Sequence, residues 1–293
     1  MVICDWLDVT YSPDDVPEPE LRTLLLGLGF LVEYDKGMRL MYRPPDGSRG
    51  SVCVTYARRY GKISLSGGAI DYLRAADAWH EVLFYLSDSP HKVTRLDLAL
   101  DVRTDAAAVI SGLMLRYPEG KVSLGRKALD VTRMLKVRAD GRESGTYYVG
   151  YRSHARATAR VYDKRLEVLK RTGVDLGHEL TRYEVTARKD YGATLHDAAV
   201  PEALFWHIAA PALIPRPPEG VNMWSADNDF TGWEFTPKAY APAEVLKRRV
   251  EYSAELEALK LLSDELGEYG RSTLLALISA KLGTPTITDE DAA

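Results

Sequence analysis

Four stretches of this chain alternate reactive side chains with apolar ones, the spacing that lines up every second residue on one face of an extended strand. In residues 94–102, Leu96, Leu98 and Leu100 alternate with Arg95, Asp97 and Asp101, and the small Ala99 leaves room between the two carboxylates. Same-side neighbours on a strand lie about 6.5–7 Å apart, so Asp97 and Asp101 stand about 13 Å apart and need partners from adjacent strands. Residues 160–164 alternate Arg160, Tyr162 and Lys164, and residues 181–188 alternate Arg182, Glu184, Thr186 and Arg188. In residues 146–152, Tyr148 and Arg152 flank Gly150. Joined in one sheet, these runs give a polar face with three carboxylates, several guanidiniums and a tyrosine between two cations.

That inventory suits phosphodiester chemistry. Carboxylates without His or Cys make a hard oxygen site, which selects Mg²⁺ or Mn²⁺ over zinc. Such an ion polarises a phosphoryl oxygen and absorbs developing charge. A tyrosine with an ordinary pKa of about 10 is a weak nucleophile at neutral pH. Arg160 and Lys164 beside Tyr162 are expected to favour its phenolate, whose attack on a phosphodiester gives a covalent phosphotyrosine. Plainer readings stand beside each piece. Tyr162 is one of 17 tyrosines, most of which pack or stack, and Arg182, Glu184 and Arg188 also suit an ordinary cross-strand ion network. The Asp97 run on its own equally fits a solvated polar face.

The elements that position these residues are readable from pattern. Residues 5–11 alternate as a strand, 18–28 have helical composition, and short strands fit 38–42, 51–56 and 62–66. Gly67-Gly68 closes the third of these, and residues 69–86 read as one amphipathic helix with Ile70, Leu73, Trp79, Val82 and Leu83 at helical spacing. The Asp97 strand follows, then a helix over 105–117 with Pro118 beyond its end. Strands fit 131–137, 145–151 and 158–164, a short helix runs to about 171, and 179–188 alternates again. Two strand groups with helices and no regular βαβ alternation predict an α+β fold of curved antiparallel β-sheets with packed helices, with structurally similar halves one way to arrange the two groups. The expected domain is 1–210, in halves of about 1–120 and 121–210. Residues 211–293 are expected to form a Pro-rich linker and a helical C-terminal appendage over 243–266 and 272–282.

Composition bounds the function. At 293 residues, 46% hydrophobic and 27% charged, the chain is long enough for a real core and ordinary for a folded soluble protein. No basic leader or run of 18 apolar residues appears, and Cys4 and Cys53 lack metal-ligand spacing, so a cytoplasmic location without membrane contact is expected. The net charge of −4 is unevenly spread. Residues 121–171 hold 14 Lys or Arg against 5 Asp or Glu, a +9 block in a chain that is otherwise −13. Such a block points to a polyanion. There is no Walker A sequence and no His-x-His pair among the 6 histidines, and Gly27-Leu28-Gly29 follows a helix, not a strand. These absences argue against an ATP-driven motor, a histidine-metal endonuclease and a dinucleotide site.

The order and spacing of several motifs resemble the replication initiation factor family, the Rep_trans-type rolling-circle initiators of plasmids with relatives in filamentous phages and conjugative elements. They are Asp5-Trp6-Leu7, Leu65-Ser66-Gly67-Gly68, the Trp79 helix, Thr94 to Asp101, Thr146 to Ser153, Arg160-Val161-Tyr162-Asp163-Lys164 and Thr181 to Arg188. The resemblance spans roughly residues 5 to 210. It implies an enzyme that binds a double-strand origin, nicks one strand through tyrosine, leaves a free 3′-OH for a host polymerase and keeps the 5′ end on the protein until rejoining. It also implies origin DNA in double- and single-stranded form, a host helicase and a homodimer as partners. Tyr162 matches the family's reactive strand, with Arg160 before it and Lys164 after it, and Tyr148 is its rival. The catalytic set is then Tyr162, Lys164, Arg160 and Arg182. Arg95, Tyr148, Arg152, Arg156 and Arg188 are the DNA-binding candidates, and Asp97, Asp101 and Glu184 the candidates for Mg²⁺ or Mn²⁺.

Two other readings remain at this point. A sequence-specific DNA-binding regulator would use the same scaffold without cleavage. A hydrolytic nuclease would keep the carboxylates and use Tyr162 for stacking. Carboxylates beside phosphates repel DNA unless a cation intervenes, which favours an enzyme over a pure binder.

Overall fold

The computed structural model describes residues 1–118, 122, 124, 130–137, 143–150 and 155–213. The fold is α+β. Its strands are β1 (Val2–Tyr11), β2 (Leu31–Asp35), β3 (Arg39–Arg43), β4 (Val52–Ala57), β5 (Tyr60–Ser66), β6 (His91–Val102), β7 (Val131–Val137), β8 (Glu143–Val149), β9 (Ala157–Asp163) and β10 (Thr181–Arg188). The helices are α1 (Glu18–Gly27), α2 (Gly67–Ala75), α3 (Trp79–Ser87), α4 (Ala106–Arg116), α5 (Lys164–Thr172), α6 (Leu195–Ala199) and α7 (Glu202–Ala212).

The two expected strand groups join in one open sheet. All ten strands are antiparallel, in the order β2-β3-β4-β5-β1-β6-β10-β9-β8-β7. The seam is the long β1–β6 pair. Outward from it, β1, β5, β4, β3 and β2 on one side match β6, β10, β9, β8 and β7 on the other in both order and connectivity. The seam strands even share a trace of sequence, Leu7-Asp8-Val9 against Leu96-Asp97-Leu98. The matching halves are thus β1–β5 and β6–β10, which divide near residue 90, so the Asp97 strand and α4 fall in the second half and not in the first half expected over about 1–120.

Alternation sorts the two faces. Leu7, Val9, Ile63, Leu65, Leu96, Leu98, Val161 and Val185 are buried, and so are Ile70, Leu73, Ile110, Leu113, Leu204 and Phe205 from the helices. Burying a side chain of this size contributes about 1.5–3 kcal/mol, so this layer is what holds the strands in register. Asp105 caps α4 by accepting from Ala107 N at 2.8 Å, and Asp163 caps α5 by accepting from Leu166 N at 2.8 Å. A Thr194–Asp197 capping box starts α6.

Four elements depart from the sequence reading. β2 was not expected, and it has no alternation to find, since all five of its residues are exposed at the sheet edge. The single helix over 69–86 is two helices. Asp77 between them has φ 55°, a left-handed conformation that Asp tolerates better than most residues, and it ends α2. Gly67-Gly68 opens α2 instead of closing β5. Here glycine is required, because a Cβ on Gly50 would stand 1.8 Å from the Ala69 backbone nitrogen and one on Gly68 2.7 Å from that of Gly50. α6 and α7 fill a region given no element, and α7 runs past the boundary expected at 210. The helices expected over 243–266 and 272–282 lie outside the described residues. Among the described residues no helix is long and apolar enough to cross a membrane.

Candidate active site on the polar face of the sheet

Strand register brings the expected residues to one face. Along β10, Arg182 lies opposite Asp101 on β6 and Tyr162 on β9, and Glu184 lies opposite Ala99 and Arg160. Thr186 faces Asp97 and Arg188 faces Arg95. Beyond β9, Arg160 is paired with Tyr148 of β8. Every one of these positions is two residues from the next, so all share the side away from Leu96, Leu98 and Val185.

Asp97, Asp101 and Glu184 on this face are each held by an arginine, and Asp8 beside them by Lys62 and the Trp6 indole. Arg160 Nη2 donates to Glu184 Oε1 in a short charged hydrogen bond, and its guanidinium sits 5.2 Å from the Tyr162 ring centre. The Tyr162 hydroxyl donates to the other Glu184 oxygen at 3.2 Å. Arg95 grips Asp97 through two bonds of 2.9 and 2.5 Å while stacking on Trp6 at 4.7 Å. Arg182 grips Asp101 through two bonds of 2.6 and 2.7 Å and reaches Asp5 at 2.9 Å. Paired, bidentate arginines are what make buried carboxylates tolerable.

The phenol is not activated as the sequence suggested. Burial pushes the Tyr162 hydroxyl up from its ordinary value and the Glu184 charge pushes it further, while Arg182 and Arg160 pull the other way. The nearby cations are spent on carboxylates, and the group bonded to the hydroxyl is itself an acid. Burial also raises the Glu184 carboxyl, against the pull of Arg160. Lys164 departs from its expected place too. The strand ends at Asp163, Lys164 is the first residue of α5, and its ammonium pairs with Glu167 at 2.6 Å.

The three expected metal ligands do not converge. Among the described residues no group of three or more His, Cys, Asp or Glu is gathered as a metal site. Asp101 is taken by Arg182. Asp97 and Glu184 are diagonal neighbours across β6 and β10, a relation that separates residues by about 7–8 Å. Both already carry partners, Asp97 through Arg95 and Glu184 through Arg160 and Tyr162, so an ion on this pair would have to share or displace them, with phosphate oxygens or water completing its shell, and a three-carboxylate cage is not built.

Over this floor lies a cleft of about 790 Å³, lined by Arg95, Tyr148, Arg156, Arg160, Glu184 and Arg188 among others. Arg156, Arg188 and Lys189 on its wall hold no carboxylate among the described residues, unlike the arginines beneath them. Arg152 lies outside the described residues.

Comparison with known proteins adds a likeness of shape. No family model and no curated protein matches the chain. One similar solved structure is a rolling circle replication initiator protein from Geobacillus stearothermophilus, 21% identical over 68% of this chain and 77% of that one, with a TM-score of 0.48. Two others are the di-domain ARO/CYC proteins StfQ of the steffimycin pathway and BexL of the BE-7585A pathway. The first is 13% identical over 60% of this chain and 73% of its own, TM-score 0.21. The second is 14% identical over 74% of this chain and 100% of its own, TM-score 0.19. Likeness at this level does not carry a function from one protein to another.

Two residues of the face were not singled out in the sequence as site residues. Between Cys4 and Trp6 the β1–β6 register shifts, and this bulge turns both Asp5 and Trp6 toward the polar face. Strict alternation would send one of them into the core, and nothing in the local sequence marks the irregularity. Lys189 was missed because it follows the last strand residue, where periodicity stops.

Proposed function

We propose that this chain is a tyrosine-dependent DNA nicking and joining enzyme of the rolling-circle initiator kind. The observation that carries the reading is the hydrogen bond from the Tyr162 hydroxyl to Glu184, a carboxylate that lines a cleft whose wall carries Arg156, Arg188 and Lys189, none of them paired with a carboxylate among the described residues. Phosphates of one strand bind Arg156, Arg188 and Lys189, which breaks no ion pair among the described residues. Tyr162 oxygen attacks the phosphorus in line, its proton passes to the Glu184 carboxylate, and the bond to the 3′ oxygen breaks. The 3′ oxygen takes a proton from water and leaves as a free hydroxyl for a host polymerase. The 5′ phosphate stays on Tyr162 as a diester, so the reverse attack by a 3′-OH rejoins the strand. The raised Glu184 carboxyl makes it a better proton acceptor than an ordinary carboxylate, which offsets the reluctance of the buried phenol.

Arg160 spans Glu184 and the Tyr162 ring and is placed to meet charge developing on the phosphoryl oxygens. Asp97 and Glu184 are the carboxylates that would hold Mg²⁺ or Mn²⁺. When bound, such an ion supplies a positive charge for the phosphoryl oxygens. Origin DNA as substrate, and a helicase and a second copy as partners, follow from the same family resemblance, and a cytoplasmic setting from the composition.

The test uses 3′-end-labelled single-stranded oligonucleotides tiling the gene and its flanking DNA, with Mn²⁺, resolved by denaturing electrophoresis. The expected product is a labelled protein that survives SDS and is absent with Tyr162→Phe. Cleavage without that species would mean a water-using nuclease, and binding without cleavage a regulator. An adduct that persists in Tyr162→Phe moves the nucleophile, with Tyr148 next to be mapped.

A further inference from the structure

Arg182 is clamped from two strands at once. Asp101 on β6 takes its Nε and Nη2, and Asp5 on β1 takes its Nη1. The side chain is only 6% exposed and stands beside Tyr162 in the β9–β10 register. A guanidinium has five N–H donors in a rigid plane, so three bonds to two carboxylates fix its position and its orientation and leave two donors for an arriving oxygen. Holding Arg182 in the sheet needs one carboxylate. A second one, brought by a bulge from the far side of β6, fixes direction.

The path to Asp5 is itself built. The register shift between Cys4 and Trp6 turns Asp5 toward β10. A Cβ on Gly67 would come within 2.9 Å of Asp5 Oδ1, so the absence of a side chain at the start of α2 is what gives that carboxylate its place.

We propose that Asp5 and Asp101 are positioning residues for the nicking reaction: they aim the Arg182 guanidinium at the phosphate under attack by Tyr162, and Gly67 keeps the space that lets Asp5 reach it. This rests on the Tyr162 reading of the site. It gives Asp101 a task different from binding an ion, and it assigns a role to Asp5 and to the Ser66-Gly67-Gly68 start of α2.

The experiment has two arms. In the first, ¹⁵N NMR of the arginine Nε–H groups follows the free protein. One strongly exchange-protected signal is expected, absent in Arg182→Lys and unprotected in Asp101→Asn. In the second, adduct formation is timed at saturating oligonucleotide. Asp5→Asn, Asp101→Asn and Gly67→Ala are expected to slow it, up to about 10²-fold, the loss that small misplacements of a catalytic group produce. The KM for DNA and the Mn²⁺ concentration giving half the maximal rate stay within about twofold of wild type. Gly67→Ala removes no charge and favours helix, so its slowing cannot be laid to lost electrostatics or misfolding.

Three outcomes overturn the proposal: no protected Arg182 signal in wild type, rates within about twofold of wild type for Asp5→Asn and Asp101→Asn, or a raised Mn²⁺ requirement in Asp101→Asn. A wild-type protein with the protected signal and no adduct on any DNA overturns the nicking reading, and with it the role given to the clamp.

Discussion

The Tyr162 hydroxyl donates to the Glu184 carboxyl, and burial raises the pKa of both groups. If Glu184 takes that proton, Glu184→Gln keeps the shape, removes the acceptor and leaves Arg160 without its partner. Proton transfer of this kind contributes about 10²–10⁴-fold, so the variant should form adduct slower by that factor while binding the oligonucleotide normally, read from a single-turnover time course. Asp97→Asn is expected to raise the Mn²⁺ concentration needed for half the maximal rate, whereas Asp101→Asn leaves it unchanged. Equal responses of the two would remove Asp97 as an ion-holding residue. The four polar strand faces were legible in the sequence, because alternation fixes side within a strand. Which arginine meets which carboxylate was not, because it depends on the register between strands.

At the scale of elements, single residues set where helices begin and stop. Asp105→Ala removes the α4 cap and should lower stability by about 1 kcal/mol in urea unfolding, with activity unchanged. Asp77→Gly relieves a left-handed conformation and should raise stability by up to about 1 kcal/mol, the opposite sign to most substitutions. The connection from α5 to β10 carries a pH dependence. Arg165 grips Asp175 at 2.7 and 2.9 Å and, with the Gly177 backbone nitrogen, holds its carboxyl well below the usual range. A carboxyl lowered on folding stabilises above its unfolded pKa of about 3.9 and loses that contribution as pH falls toward the folded value. The stability gap between wild type and Asp175→Asn should therefore be full at about pH 6 and shrink steadily below about pH 4. A gap that does not shrink would deny the pair this role. The exposed edge strand β2 shows the limit of pattern reading, since a strand with neither face buried leaves no hydrophobic period to detect.

For the whole molecule, the continuous sheet makes the two halves one mechanical unit. Leu98 lies fully buried in the seam strand β6, and Leu98→Ala should cost about 2–5 kcal/mol while unfolding stays a single transition across both halves. Two separate transitions would show that each half folds alone. The charge asymmetry of the chain also becomes concrete at this scale. Arg156 and Arg188 stand on the cleft wall and pair with no carboxylate among the described residues, so each should contribute about one unit to the salt dependence of single-strand binding. Alanine at either position should flatten the plot of affinity against salt by about that amount, and an unchanged slope would place the strand elsewhere.

The sequence by itself determined the α+β class, most of the strands and the reactive residues of the four polar faces. All of these follow from local periodicity, which a chain carries wherever it goes. Tertiary structure decided that the described strands form one sheet divided at the β1–β6 pair, and that Glu184, not a cation, is the hydrogen-bond partner of Tyr162. It also decided that Asp101 turns to Arg182 and that Lys164 starts a helix. Those outcomes depend on register, on a bulge at Asp5 and on the space left by Gly67, and each is set by contacts between residues far apart in the chain.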